Sequence, residues 1–304
     1  MQIPGIHHVT AIAGDAQKNV DFYVGVVGLR LIKRTVNFDD PTTYHLYYGD
    51  YSGAPGSILT FFPWQDAYRG HSGNGQTVAA AFQVGQDALN YWVKRLKTLG
   101  LAVEGPFERF GDTLISFADP DGMRIEIVGA GAGDATITGF HGVTLSEGGY
   151  EATADLLTKE FGYQMTKSEG NRFRYESAGD ARGRVIDLLC QPDARRGTMG
   201  AGSVHHVAFR AESDAVQAAW RAELSHAGRN VTPVLDRKYF HSIYFREPGG
   251  VLFEIATDNP GFAVDEPLEE LGKTLKLPPW LERDRREIEA ALRPLQVPET
   301  SHAV

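Results

Sequence analysis

Ile243-Tyr244-Phe245-Arg246-Glu247-Pro248-Gly249-Gly250-Val251-Leu252-Phe253-Glu254 reads as strand, Pro/Gly turn, strand, and the chain holds an earlier double of it, Ile115-Ser116-Phe117-Ala118-Asp119-Pro120-Asp121-Gly122-Met123-Arg124-Ile125-Glu126. Apolar residues that alternate on either side of a Pro/Gly pair are the pattern of a hairpin. Two weaker endings complete a set of four, Pro55 to Phe61 and Gly183 to Asp187. Working back from each ending, four openings match one another: Gly5-Ile6-His7-His8-Val9-Thr10, Thr77-Val78-Ala79-Ala80-Ala81-Phe82, Gly139-Phe140-His141-Gly142-Val143-Thr144 and Ser203-Val204-His205-His206-Val207-Ala208. A helix is expected after each opening. Leu89, Trp92, Val93 and Leu96 share one helical face, as do Val216, Ala219 and Trp220 behind the capping candidates Ser213 and Asp214.

The expected fold is therefore α+β: four βαβββ modules forming two incomplete barrel-like cups, followed by a C-terminal helical arm. Residues 1–130 carry modules one and two, 131–138 a linker, 139–257 modules three and four, and 258–304 the arm. The stretches near 63–75, 131–138 and 191–202 read as connectors. Leu277-Pro278-Pro279-Trp280 introduces a charged helix near 281–292, expected to pack on the body or on a neighbouring subunit.

Composition narrows the function. Of 304 residues 42% are hydrophobic and 23% charged, enough for a sizeable core. No run approaches the ~18 apolar residues of a membrane span, and the opening MQIPGIHHVT does not read as a leader. A net charge of −9 argues against nucleic acid and anionic membrane as partners. The single Cys190 excludes an internal disulfide and a thiolate-rich metal site, so a cytoplasmic location is expected.

Two positions in the repeat carry chemistry: the second residue of the His pair, and the last acid of the closing strand. Module one has His8 and Phe61, module two Ala80 and Glu126, module three Gly142 and Asp187, module four His206 and Glu254. Pairing module one with module four brings His8, His206 and Glu254 into one concavity, whereas the concavity of modules two and three is expected to hold only Ala80, Gly142, Glu126 and Asp187, with no imidazole at all. One His pair alone is an ordinary strand start. Two pairs at equivalent positions with a carboxylate point to a metal. Two imidazoles and one carboxylate on one side of an ion leave the other side open, which suits non-haem Fe(II); Mn(II) accepts the same ligands, and zinc accepts them in a hydrolytic or isomerase setting. His45, His71, His226 and His302 lie off the slots and are read as structural or solvent-facing.

The repeats, the His-His starts and the Ile243–Glu254 ending resemble the vicinal oxygen chelate superfamily, and within it the glyoxalase-like ring-cleaving dioxygenases of the hydroquinone type, over essentially the whole chain. The resemblance places the metal on the same His8, His206 and Glu254. It implies His205 and Tyr244 as catalytic residues, and Thr10, His7 and Arg237 as substrate contacts. The extradiol signature matches from Ile243-Tyr244 to Glu254, but its histidine is missing. Leu235-Asp236-Arg237 stands at that distance and His241 is too close. That departure favours the hydroquinone branch, with Arg237 as the basic group and Lys238 as its competitor. The expected reaction is Fe(II)-dependent extradiol-type ring cleavage of a dihydroxylated aromatic by O₂ in a homo-oligomer. Two other readings share the fold: a glyoxalase-like lyase or isomerase, which would want a second carboxylate where Phe61 stands, and a non-catalytic small-molecule binder.

Overall fold

The computed structural model describes residues 1–131 and 133–298. Module one comprises β1 (Ile6–Ala13), α1 (Ala16–Val20, continued by a π turn at Asp21–Val26), β2 (Arg30–Asn37), β3 (Asp40–Gly49) and β4 (Ile58–Pro63). Module two comprises β5 (Gln76–Val84), α2 (Leu89–Thr98), β6 (Glu104–Arg109), β7 (Asp112–Ala118) and β8 (Arg124–Gly129). Module three has β9 (Gly139–Glu147), α3 (Glu151–Asp155, with a π turn at Leu156–Glu160), β10 (Gln164–Glu169), β11 (Arg172–Glu176) and β12 (Val185–Cys190). Module four has β13 (Val204–Ala211), α4 (Asp214–His226), β14 (Leu235–Asp236), β15 (Phe240–Arg246) and β16 (Leu252–Pro260), and α5 (Arg285–Ala291) lies in the arm.

These strands form two eight-stranded mixed sheets. The order β14-β15-β16-β13-β1-β4-β3-β2 joins module four to module one, and β10-β11-β12-β9-β5-β8-β7-β6 joins three to two. Each seam is an antiparallel pair of opening strands, β1 with β13 and β5 with β9. The two sheets are clasped by backbone hydrogen bonds near Gly56: Phe140 N–H donates to Gly56 O (2.7 Å), Gly183 N–H to Phe140 O (2.7 Å), and Ile6 N–H to Gly183 O (3.0 Å).

The helices cover the outer faces. α2 buries Leu89, Trp92 and Leu96, the expected stripe. α4 is capped by Ser213, whose hydroxyl accepts from Val216 N–H, but its buried line is Gln217, Trp220 and Leu224. Of the expected Val216–Ala219–Trp220 face, Trp220 is buried and Val216 packs against the core, and Gln217 and Leu224 join them. Gln217 is tolerated inside because its amide donates to the carbonyls of His241 and Ile255, both at 2.7 Å.

Two of the expected connectors are structured. Residues 63–75 and 191–202 pair with each other at Arg69–Ala201, His71–Thr198 and Asn74–Arg196. The arm lies on its own body: Trp280 packs edge-on against Phe38, and the Tyr44 hydroxyl donates to Arg293 O. No helix among the described residues is long and apolar enough to cross a membrane.

Candidate metal centre and cavity

Ladder register places the site. One row across the first sheet runs Tyr244, Glu254, Ala208, His8, Ile58; the next runs His206, Thr10, Thr60, Tyr47. Within each strand these positions are two apart, so His8 and Thr10, His206 and Ala208, and Ser242 and Tyr244 share the concave face. His8, His206 and Glu254 each offer one ligand atom within 4.8 Å of the others. The Nε2 atoms of His8 and His206 are 3.3 Å apart, and Glu254 Oε2 is 3.4 Å from the first and 2.9 Å from the second.

Those separations fit one shared cation. Donors at right angles on an ion ~2.1 Å away lie about 3.0 Å apart. Glu254 is fully buried, and its Oε2 has no hydrogen-bond partner, while Oε1 accepts from Ser242 Oγ at 2.5 Å. Three lone-pair atoms facing one point repel each other unless a positive charge lies between them. Burial alone would raise the Glu254 carboxyl, but the two facing imidazoles outweigh it and hold the group well below the usual carboxylate range. Burial, opposed by Glu254, lowers His206.

Each imidazole is backed by the histidine before it. His7 Nδ1 lies 2.9 Å from His8 Nδ1, and His205 Nδ1 lies 2.8 Å from His206 Nδ1. In a flat strand neighbours point to opposite faces, and His205 would turn away from His206. Bulges remove the conflict. Between the pairs Ile6–Phe209 and His8–Ala208, β1 has an extra residue, His7; between Thr10–His206 and Ala11–Val204, β13 has an extra residue, His205. Burial lowers both His7 and His205 to about 3, each pushed further by the imidazole that follows it.

His8 and His206 line a 340 Å³ cavity walled by Phe62, Trp64 and Phe240, with Thr10, His205, Arg237 and Tyr244 also on its surface, while the fully buried Glu254 faces the two imidazoles without lining the cavity itself. His7, expected at the substrate, is 2% exposed and does not line this cavity; it stands behind His8. The turn Asp236-Arg237-Lys238-Tyr239 separates the two basic candidates. Lys238 takes a left-handed backbone (φ 67°) and sends its ammonium away, to Leu277 O (2.9 Å) and Asp265 (2.6 Å). Arg237 turns inward, 5.6 Å above the Tyr244 ring and 3.1 Å from Asp39. Burial works against the Arg237 charge, but Tyr244 and Asp39 raise it overall, while burial and Glu254 raise the Tyr244 hydroxyl.

Three slot assignments change. Glu254 pairs with Ala208 and Glu126 with Ala81, so the module-two counterpart of His206 is Ala79, one residue before the expected Ala80. Thr10 pairs with Thr60, so Thr60 and not Phe61 holds the carboxylate slot of module one; Phe61 is packed in the core. The second concavity does contain an imidazole, since His141, extra between the pairs Ala81–Gly142 and Phe82–Phe140, bulges into it. It is nevertheless closed by ion pairs. Arg109 holds Glu126 at 2.6 and 2.8 Å, and Arg174 and Arg172 hold Asp187 at 2.8 and 3.3 Å.

His45 is the residue that sequence reading missed. It was expected to be structural or solvent-facing, yet it lines the cavity. No repeat counterpart marks it; only the β3–β4 register brings it there. His71 and His226 are exposed as expected, and His302 lies outside the described residues.

Comparison with known proteins agrees with this architecture. Residues 5–127 and 139–255 match the family described as the Glyoxalase/Bleomycin resistance protein/Dioxygenase superfamily. The chain belongs to this superfamily. It is 48% identical to a Bacillus subtilis protein provisionally named ring-cleaving dioxygenase MhqO, over 97% of each chain. It is 35% identical to chlorohydroquinone/hydroquinone 1,2-dioxygenase of Sphingobium indicum, over 95% of this chain and 97% of that one. A crystal structure of a provisionally named dioxygenase from B. subtilis superposes with a TM-score of 0.94 at 48% identity, covering 98% of this chain and 99% of the other. Glyoxalase I from Zea mays, at 15% identity, superposes with a TM-score of 0.64 over 84% of this chain and 92% of the other, which extends the likeness to the fold alone.

Proposed function

We propose that this superfamily member is a metal-dependent dioxygenase that opens the ring of a hydroquinone-type dihydroxybenzene in the extradiol manner, with His8, His206 and Glu254 as ligands of Fe(II), or of Mn(II) in its place. The observation that carries the reading is the convergence of two Nε2 atoms and one unpartnered carboxylate oxygen, with both imidazoles on the wall of an aromatic cavity. Fe(II) bound there would supply open coordination positions for a phenolate oxygen and O₂, and a path for electrons between them. The names of the B. subtilis and S. indicum relatives support the same reaction class.

The chain's own residues account for the rest. Phe62, Trp64 and Phe240 offer flat apolar surface to a ring and exclude water around it. Arg237 sets a permanent positive charge over this wall, suited to an oxyanion on the substrate. Tyr244, held protonated by burial, is a donor for a substrate oxygen. Neutral His205 accepts from His206 at Nδ1, so its own proton lies on Nε2, where it can be donated to a substrate oxygen at the cavity wall. Thr60 in the β4 slot supplies no second carboxylate, which weighs against glyoxalase-type chemistry. The lone Cys190 and the charge balance fit a cytoplasmic enzyme.

The test is oxygen uptake after anaerobic loading with Fe(II), using hydroquinone, catechol and a methylglyoxal–thiol adduct. Uptake with hydroquinone is expected. Uptake with catechol alone would replace the substrate assignment, and none with either phenol would remove the dioxygenase reading.

A further inference from the structure

Four polar side chains form a continuous hydrogen-bonded line along the wall beside the triad. Tyr47 Oη lies 2.8 Å from His45 Nδ1, His45 Nε2 lies 2.7 Å from Thr60 Oγ1, and Thr60 Oγ1 lies 3.2 Å from Thr10 Oγ1. Sheet register builds it: Thr10, Thr60 and Tyr47 are opposite one another on β1, β4 and β3, and His45 is two residues from Tyr47 on the same face. The imidazole is clamped between Tyr47 (4.0 Å between centroids) and Phe62 (4.3 Å). Both ends of the line, Thr10 and Tyr47, open on the cavity, whereas Thr60 is fully buried.

A neutral imidazole has one N–H and one lone pair, and each hydroxyl donates once. The line therefore has two self-consistent polarities. In one, Tyr47 donates to Nδ1, Nε2–H donates to Thr60, Thr60 donates to Thr10, and Thr10 points its hydrogen into the cavity while Tyr47 offers a lone pair. In the other every bond is reversed: Thr10 receives a hydrogen from the cavity and Tyr47 gives one. While the line is intact only one of its two ends can donate into the cavity.

We infer that His45 is a positioning residue for the substrate hydroxyl group, acting through Thr60 on Thr10 and directly on Tyr47, so that this wall binds a free phenolic hydroxyl in preference to its methyl ether. This rests on the proposed dihydroxybenzene substrate. A phenolic O–H can donate to one end or accept from the other, so it satisfies either polarity. An ether oxygen only accepts, and its methyl group occupies the donor's place. Reversal of the line moves one proton from each group to the next, with no net oxidation and no change of charge.

The experiment compares anaerobic binding of hydroquinone and 4-methoxyphenol to the metal-loaded protein, read by quenching of the cavity-wall Trp64, in wild type, His45→Phe, His45→Gln and Thr60→Val. Wild type is expected to prefer hydroquinone by about tenfold, the worth of one hydrogen bond. His45→Phe and Thr60→Val should bring that preference to within about twofold of unity. His45→Gln, which keeps a donor and an acceptor, should restore most of it. Thr60→Val retains shape and touches the ligand nowhere, so an unchanged preference in that variant overturns the inference, as does an equal loss in His45→Gln. Oxygen uptake by wild type separates the two layers: with uptake present, an unchanged preference removes only the role of His45, and with uptake absent the substrate reading itself has failed.

Discussion

At the scale of single residues, the proposed metal site depends on which ring nitrogen carries the proton. For the Nε2 atoms of His8 and His206 to present lone pairs to one ion, their protons must lie on Nδ1, where each meets the Nδ1 of the preceding histidine. That second nitrogen must then be the acceptor, so the proton of His7 and of His205 lies on Nε2. His7→Leu is accordingly expected to fold normally and to bind Fe(II) or Zn(II) about 10- to 100-fold more weakly, measured by competition with a chelator of known affinity. Wild-type affinity in that variant would show that His7 does nothing for its neighbour. Glu254→Gln goes further, since it removes the carboxylate that faces both imidazoles; metal analysis after dialysis should find less than about a tenth of the wild-type content. Ser242→Ala separates orientation from ligation. It deletes the 2.5 Å bond to Oε1 and leaves Oε2 in place, so a loss of about tenfold in metal affinity is expected, with binding retained.

At the scale of elements, bulges and turns decide what the triad is surrounded by, and these were the least legible features of the chain. Pairing modules by their repeat slots was enough to bring His8, His206 and Glu254 together, because residue type and a period of two carry that information. The positions of His7, His205 and His141 were not readable, since a bulge is defined against the partner strand and a single strand's alternation does not contain it. The same dependence on register moved the module-one slot from Phe61 to Thr60 and hid His45. Arg237 and Lys238 were indistinguishable by charge; the left-handed backbone at Lys238 separates them. Lys238 leads to the arm, whose attachment centres on Lys33 of β2. This lysine is fully buried, and its ammonium donates to Phe262 O (3.0 Å), Asp265 (2.8 Å) and Glu266 (2.5 Å). Lys33→Met leaves Glu266, which is 6% exposed, with a long hydrogen bond from Gly272 N–H (3.4 Å) and Lys276 at 3.5 Å. A loss of about 3 kcal/mol is expected from urea unfolding, with the arm cut first in limited proteolysis. A variant that unfolds like wild type would mean that the arm is held by its apolar contacts alone.

At the scale of the whole molecule, two sheets of the same design differ in what faces the acid of the closing strand: imidazoles at Glu254 in the first, guanidinium groups at Glu126 and Asp187 in the second. Where the first sheet has His8 and His206, the second has Gly142 and Ala79, and the acids beside them are taken by Arg109, Arg172 and Arg174. The contact between the two halves has its own unpartnered acid. Glu147, at the end of β9, is 1% exposed, has no hydrogen-bond partner on either oxygen, and sits against Gly249 in the β15–β16 turn, where an added Cβ would come within 1.6 Å of its carboxylate. Burial, and after it the nearby Glu247, push its carboxyl up to about 8 from 4.5, against a smaller opposing pull from Arg196. An acid whose folded pKa lies above its unfolded one keeps its proton longer in the native state. Its contribution is therefore fully present below the unfolded value near 4.5 and is lost as pH rises toward 8. Between pH 5 and pH 7 this one group should lower stability by about 2.5 kcal/mol. Glu147→Gln, neutral at every pH, removes that slope. Urea unfolding at pH 5, 6, 7 and 8 should show the variant and the wild type nearly equal at pH 5 and the variant progressively more stable above it. Parallel pH profiles for the two proteins would mean that Glu147 is ionised in the folded state and that water or Arg196 compensates it at the junction of the sheets.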